Sequence, residues 1–395
     1  MSFDFDRVIP REGSGSLKWD ARESVFGTED VLPLWVADMD FAVPEAVGEA
    51  LAARAAHPVH GYSLFPDAVY DSLMDWLGER HQWRTERDWL LMAPGVVPSL
   101  HAAVLAFVEA GEGVIVQPPV YFPFFSAVTV TGRRLIENPL RFSDGRYRID
   151  FDHLEQCAAD ARLLLLCSPH NPVGRVWETD ELRELLRIAR KHKLVVLSDE
   201  IHHDLIYPGR RHIPLATLTD NPDDIVTAVA PSKTFNIPGL GLSALVASNP
   251  EHREKLRRAF DLLHVSGANP FSIAAFAAAY QHGAAWLDAL MAYLVDTRDE
   301  VSAILARETP SIRVVEAEGT YLMWLDCREF CRERNLDDDA LNRFFIKRAR
   351  LGLSPGSLFG QGGKGFMRLN LGAPRGMIRE AIWRLVAAAA IGERR

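Results

Sequence analysis

The chain has 395 residues, enough to bury a large core and to form two domains. It is 48% hydrophobic and 25% charged, as a globular protein is, and its formal net charge of −9 argues against a non-specific nucleic-acid binder. No apolar run reaches membrane-spanning length, and the start Met1-Ser2-Phe3-Asp4-Phe5-Asp6 lacks the basic and apolar regions of a secretory leader, so the expected location is the cytoplasm.

The first 43 residues are rich in aromatic, proline and acidic positions and are expected to join the carboxyl-terminal part. From about Pro44 to residue 285, short apolar runs alternate with helical patterns. Ala93-Pro94-Gly95-Val96-Val97-Pro98 is a glycine turn leading into an apolar-periodic helix. The segments 114–116, 163–167, 194–197, 225–229 and 242–247 read as strands. Their apolar residues do not alternate with polar ones, so both faces are expected to be covered by helices. Thr179-Asp180-Glu181 starts a helix and Lys191-His192-Lys193 ends it, a polarity that suits the helix dipole. The rhythm predicts an α/β fold with a parallel or mostly parallel sheet. After residue 285 the pattern changes. A helix over 286–305, strands over 312–315 and 321–325, a helix near 338–350, a strand over 366–371 and a final helix from Arg375 predict a smaller α+β part. The expected division is a large domain over 46–285 and a small one over 1–45 and 286–395. Cys157, Cys167, Cys327 and Cys331 form no CxxC pair, and no histidine cluster completes a metal set with them. They are expected to be reduced and structural, and no metal is expected.

Lys233 follows the apolar run 225–229. A lysine there is costly to bury unless its charge is managed, and a Schiff base with pyridoxal phosphate would manage it. Read alone, it is equally a surface lysine after a strand. Asp199 ends another apolar run, where a buried carboxylate would pair with the pyridine nitrogen and make the ring an electron sink. Alone, it reads as a cap for the segment that follows, and His202 as a satisfied core histidine that would otherwise bond near the ring hydroxyl. Asn171 lies beyond a third strand, in Ser168-Pro169-His170-Asn171-Pro172-Val173-Gly174. Tyr121, among prolines, is a stacking candidate or core packing. The Gly95-Val96-Val97 turn would offer backbone N–H groups to a phosphate, with a hydroxyl from Ser232. Asn171, Asp199 and Lys233 each follow the carboxyl end of a separate apolar strand, the edge where open α/β sheets bind ligands.

Beyond these, the chain resembles fold-type I pyridoxal-phosphate enzymes of the aminotransferase class I/II superfamily, and more narrowly the MalY/PatB family of cystathionine β-lyases. The resemblance runs nearly end to end. It is carried by Leu17-Lys18-Trp19-Asp20, Leu34-Trp35-Val36-Ala37-Asp38-Met39-Asp40-Phe41, His60-Gly61-Tyr62, Pro119-Val120-Tyr121, Pro169-His170-Asn171-Pro172, Ser198-Asp199-Glu200-Ile201-His202, Ser232-Lys233-Thr234-Phe235-Asn236, Gly319-Thr320-Tyr321-Leu322-Met323-Trp324 and Arg368-Leu369-Asn370. It implies a seven-stranded-type sheet between helices. It also implies that Lys233 bonds the cofactor and moves the substrate Cα proton, that Asp199 pairs with the pyridine nitrogen and that Tyr121 stacks on the ring. Asn171 would bond the ring hydroxyl and the substrate carboxylate, and Arg368 would clamp that carboxylate. Tyr62 would reach the cofactor phosphate of a second subunit, in a homodimer with shared sites. One departure stands out. Many aminotransferases of this superfamily carry a phosphate-binding arginine eight residues after the lysine, and here that position is Gly241.

The reaction this implies is α,β-elimination of a cysteine thioether such as cystathionine to a thiol, pyruvate and ammonia. The alternatives are an aminotransferase on the same fold and a regulatory or binding protein that keeps the fold.

Overall fold

The structure is a computed structural model, and it describes residues 3–265, 267 and 269–391. Met1 and Ser2, which open the amino-terminal reading, lie outside the described residues. A seven-stranded sheet carries the strands in the order Leu90–Ala93, Ser243–Val246, Ile225–Val229, Val195–Asp199, Ala161–Cys167, Gly113–Val116, Arg134–Glu137. All pairings are parallel except those of Ser243–Val246, which is antiparallel to both neighbours.

The run Leu163–Leu166 shows why the sheet is buried on both sides. Leu163 and Leu165 pack into one hydrophobic cluster with helix Val96–Phe107. Leu164 and Leu166 pack into another with helix Thr179–Lys191. Successive strand residues point to opposite faces, so a run with no polar alternation serves two cores. Helix Thr179–Lys191 begins where the sequence predicts, with Glu178 as the residue that caps it. Glu178 and Glu181 form a reciprocal capping box, and Arg190 and Lys191 occupy the last turn.

Two strands escape sequence analysis, and both are edges of the sheet. Arg134–Glu137 is half-exposed and begins and ends on charges, so it lacks an apolar signature. Leu90–Ala93 pairs only with Ser243–Val246.

A second, antiparallel sheet runs Arg313–Val314, Leu322–Asp326, Phe366–Asn370, Ser354–Pro355. Helices Ala284–Glu308 and Arg375–Ala390 pack against each other beside it. Leu32–Pro33 pairs in parallel with Leu351–Gly352, so the amino-terminal residues do meet the carboxyl-terminal part. All four cysteines are free. Among the described residues no helix is long and apolar enough to cross a membrane.

Candidate active site

At the carboxyl ends of the parallel strands lies a cavity of about 250 Å³. Gly95, Val96, Val97, Tyr121, Asn171, Asp199, His202, Ser232 and Lys233 all line it, together with Ala37, Cys167 and Gly241. A larger, more polar cleft of about 670 Å³ at Tyr207, Arg298 and Glu318 shares none of these residues.

Lys233 lies in the short helix Pro231–Thr234 rather than at the strand end itself. Its Nζ donates to the Ala37 carbonyl at 2.6 Å. Burial, with the Arg368 charge, pushes its amine down to about 8, while Asp38 and Asp199 oppose the shift. About a tenth of the amine is therefore free base at pH 7, far more than for an ordinary lysine, and the free base is the form that attacks a carbonyl. The turn below is held by Asp204, whose carboxylate accepts from Thr234 Oγ1 at 2.7 Å and Trp76 Nε1 at 3.0 Å. His81 Nε2 lies 2.7 Å from the same carboxylate. His81, His203 and Asp204 thus form a histidine-containing group that the cysteine spacings did not reveal, and hydrogen bonds within the protein already occupy its carboxylate.

Asp199 is the last residue of its strand, and its Oδ1 accepts from the Ile201 N–H at 3.1 Å. The capping reading therefore holds as well. Burial pushes the carboxyl up to about 7, with Lys233 and the Ile201 N–H acting against the rise. Such a carboxyl keeps its proton in about half of the molecules at pH 7, and a protonated pyridine nitrogen beside it would hold it ionised. His202 is buried with Nδ1 lacking a hydrogen-bond partner, and burial holds its ring neutral, well below the usual histidine range.

Arg368, on strand Phe366–Asn370, is buried among neutral oxygens. It donates to Asn171 Oδ1 at 3.0 Å, the Trp35 carbonyl at 2.8 Å and Ser354 Oγ at 3.3 Å. Among the described residues it makes no ion pair, and its Nε lacks a partner. A buried guanidinium without a counter-charge is a receptor for a carboxylate. Burial pushes it down to about 10, so it stays cationic at neutral pH.

Gly95 precedes helix Val96–Phe107 with φ of 149°, a conformation that favours glycine. The first N–H groups of a helix have no intrahelical partner, so Val96 and Val97 present donors to the cavity. Gly241 has φ of 57°, and an added Cβ would lie 3.3 Å from the Pro94 carbonyl. An arginine would be strained here, so the departure follows from the backbone. Gly95, Val96, Val97 and Ser232 line the cavity together. The cavity thus offers an amine, an acid, an aromatic face and a phosphate cup, and this donor set fits pyridoxal phosphate.

Tyr62 is not brought to this cavity. It is fully exposed at 110% of the reference area, beside Leu64 at 90%. Sequence reasoning also gave no role to the carbonyls of Trp35 and Ala37. Their only signal was that Trp35–Phe41 belongs to the motifs carrying the resemblance.

The chain matches the aminotransferase class I and II family over residues 29–385. It is 41% identical to cystathionine beta-lyase PatB of Bacillus subtilis, over 98% of this chain and 99% of that one. It is 33% identical to protein MalY of Escherichia coli, over 98% of each. The crystal structure of cystalysin from Treponema denticola, which contains a pyridoxal 5′-phosphate cofactor, superposes with a TM-score of 0.95 at 37% identity, covering 100% of both chains. With the match spanning nearly the whole length, the chain belongs to the aminotransferase class I and II family.

Proposed function

We propose that this protein is a pyridoxal-phosphate-dependent carbon–sulfur β-lyase acting on L-cystathionine or a related cysteine thioether. The observation that carries the reading is one cavity lined by Lys233, whose amine burial makes more acidic, the buried Asp199, and Asn171, which accepts from the buried Arg368 behind it. The likeness to PatB, a cystathionine beta-lyase, and to cystalysin supports it. When bound, the cofactor supplies an electrophilic carbonyl and a sink for the Cα electrons. Lys233 would hold the cofactor and take the proton from the substrate Cα. Asp199 and His202 would anchor the ring, and Tyr121 would cover it. Gly95, Val96, Val97 and Ser232 would bind the phosphate. Arg368, with Asn171, would orient the α-carboxylate, fixing the Cα–H bond toward Lys233 and the Cβ–S bond for departure of the thiolate. Water then completes the balance, one thioether giving one thiol, one pyruvate and one ammonium.

The same proposal divides the chain into 46–285 and 1–45 with 286–395, and the two separate sheets support that division. The test is thiol release by purified enzyme from cystathionine, cysteine and S-alkylcysteines. Release from at least one thioether is expected, and none from any of them would overturn the reading.

A second reading, an aminotransferase, is favoured only by the breadth of the family. It would keep the same residues but return the proton to the cofactor instead of expelling a leaving group.

We assign Tyr62 to the site of a second subunit in a homodimer, because an exposed aromatic flanked by exposed Val59 and Leu64 suits a covered surface. Tyr62→Phe and Lys233→Ala proteins, each impaired, should recover activity when mixed and allowed to exchange subunits. The hybrid dimer carries one intact site. No recovery despite demonstrated exchange would remove Tyr62 from the site.

A further inference from the structure

Residues 35–39 run past both cations of the site, and their carbonyls are used in alternation. The Trp35 carbonyl accepts from Arg368 at 2.8 Å and Ser354 Oγ at 3.1 Å. The Ala37 carbonyl accepts from Lys233 Nζ at 2.6 Å and the Tyr321 hydroxyl at 2.8 Å. The carbonyls of Val36 and Asp38 both accept from Asn370 Nδ2, each at 2.6 Å. Asn236 adds a bond to the Met39 carbonyl at 2.9 Å and accepts from the Met39 N–H at 2.8 Å. One short segment therefore sets the surroundings of Lys233 and Arg368 together.

What holds the segment is a buried charge cluster. Lys18 is fully buried, with Nζ 2.6 Å from Asp40 Oδ2 and 3.3 Å from the Asp38 carbonyl. Asp40 Oδ1 also accepts from Trp19 Nε1 at 2.9 Å and from Arg11 at 2.7 Å, and Arg11 pairs with Asp38 at 2.8 Å. A buried ion pair is weak support for stability, since an apolar pair of similar volume serves as well or better. Its attested use is to fix one arrangement. Here the arrangement it fixes aims two carbonyls at the two cations.

We propose that Lys18 and Asp40 are positioning residues of the active site, whose ion pair fixes residues 35–39 so that the Ala37 carbonyl receives the Lys233 ammonium while the Trp35 carbonyl steadies Arg368. This rests on the reading of Lys233 as the proton carrier. The groups facing Lys233 are Arg368, Asp38, Asp199, His202 and the Tyr321 hydroxyl. None of the other neutral groups replaces the Ala37 acceptor at 2.6 Å. An acceptor bonded to the charged form favours that form. With the carbonyl displaced, the amine becomes a weaker base.

The test compares Lys18→Met and Lys18→Arg with the unaltered chain. In cofactor-free full-length protein, the pH dependence of Lys233 acylation reads the amine directly and does not depend on the cofactor reading. Lys18→Met should move its midpoint down by at least about half a pH unit. In the loaded enzyme, kcat per bound cofactor should fall about tenfold, and its acid limb should move to lower pH. Lys18→Arg, which keeps the charge, should restore most of both. If Lys18→Met does not fold, Arg11→Gln loosens the same carboxylates from the surface and should move the midpoint in the same direction. An unchanged midpoint and acid limb, with only a lower melting temperature, would make the pair structural and overturn the proposal. If the unaltered chain binds no cofactor, the lyase reading falls, and the acylation midpoint still decides the role of Lys18.

Discussion

Lys233→Ala should abolish turnover, with a loss of at least about 10²–10⁴-fold, the range a positioned general base contributes. The loss should exceed that of any other single substitution, because the same amine would hold the cofactor and move the Cα proton. Asp199, His202 and the cup of Gly95 to Val97 remain in the variant, so cofactor should still bind, reversibly. Borohydride treatment of the unaltered protein should fix the cofactor on Lys233, and the variant should retain none after reduction and dialysis. A label on another lysine would break the assignment, since Lys233 is the lysine that lines the cavity.

Asp199→Asn should separate function from stability. An amide offers the pyridine nitrogen no negative charge. Losing a charge-assisted hydrogen bond worth about 1.5–3 kcal/mol should lower kcat by roughly 10–100-fold. The stability of the cofactor-free protein should move the other way. Burial raises the folded carboxyl from 3.8 to about 7. Between those values the folded state keeps a proton that the unfolded state has released. Stability therefore falls as pH rises through that window, by at most about 1.4 kcal/mol per pH unit, and the loss is complete above about 7. Asparagine has no proton to lose, so the variant should lack this slope. At pH 8 without cofactor it should melt higher than the unaltered chain. Thermal denaturation of both proteins from pH 4 to pH 8 checks this, and parallel curves would show that Asp199 is not the buried acid the geometry describes.

The legible parts of the fold and the illegible ones differ for physical reasons. Leu163–Leu166 and Ile225–Val229 could be read because strands in the middle of a two-faced sheet must be apolar throughout. Arg134–Glu137 could not, because an edge strand is half wet and its side chains follow no single rule. The site was readable where chemistry constrains residue type. Lys233, Asp199 and Asn171 follow separate strand ends, and the structure places all three around one cavity. It was unreadable where the main chain does the work. The carbonyls of Trp35 and Ala37 belong to any amino acid, and only the fold reveals that they meet Arg368 and Lys233. Gly241 looked like a missing phosphate ligand. Its left-handed backbone against the Pro94 carbonyl shows a position that favours glycine. Tyr62 was assigned through family resemblance, and its full exposure in a single chain fits a site completed by a second one.

Expulsion of sulfur from Cβ after loss of the Cα proton is what separates a lyase from an aminotransferase on this fold. The measurement that tests it most directly is pyruvate formed from cystathionine by the purified, cofactor-loaded enzyme, with and without an added 2-oxo acid. Continuous pyruvate formation over many turnovers without the acceptor, at an equal rate with it, is the expected result. Product that forms only with the 2-oxo acid, without release of thiol, would contradict the claim and make the protein an aminotransferase.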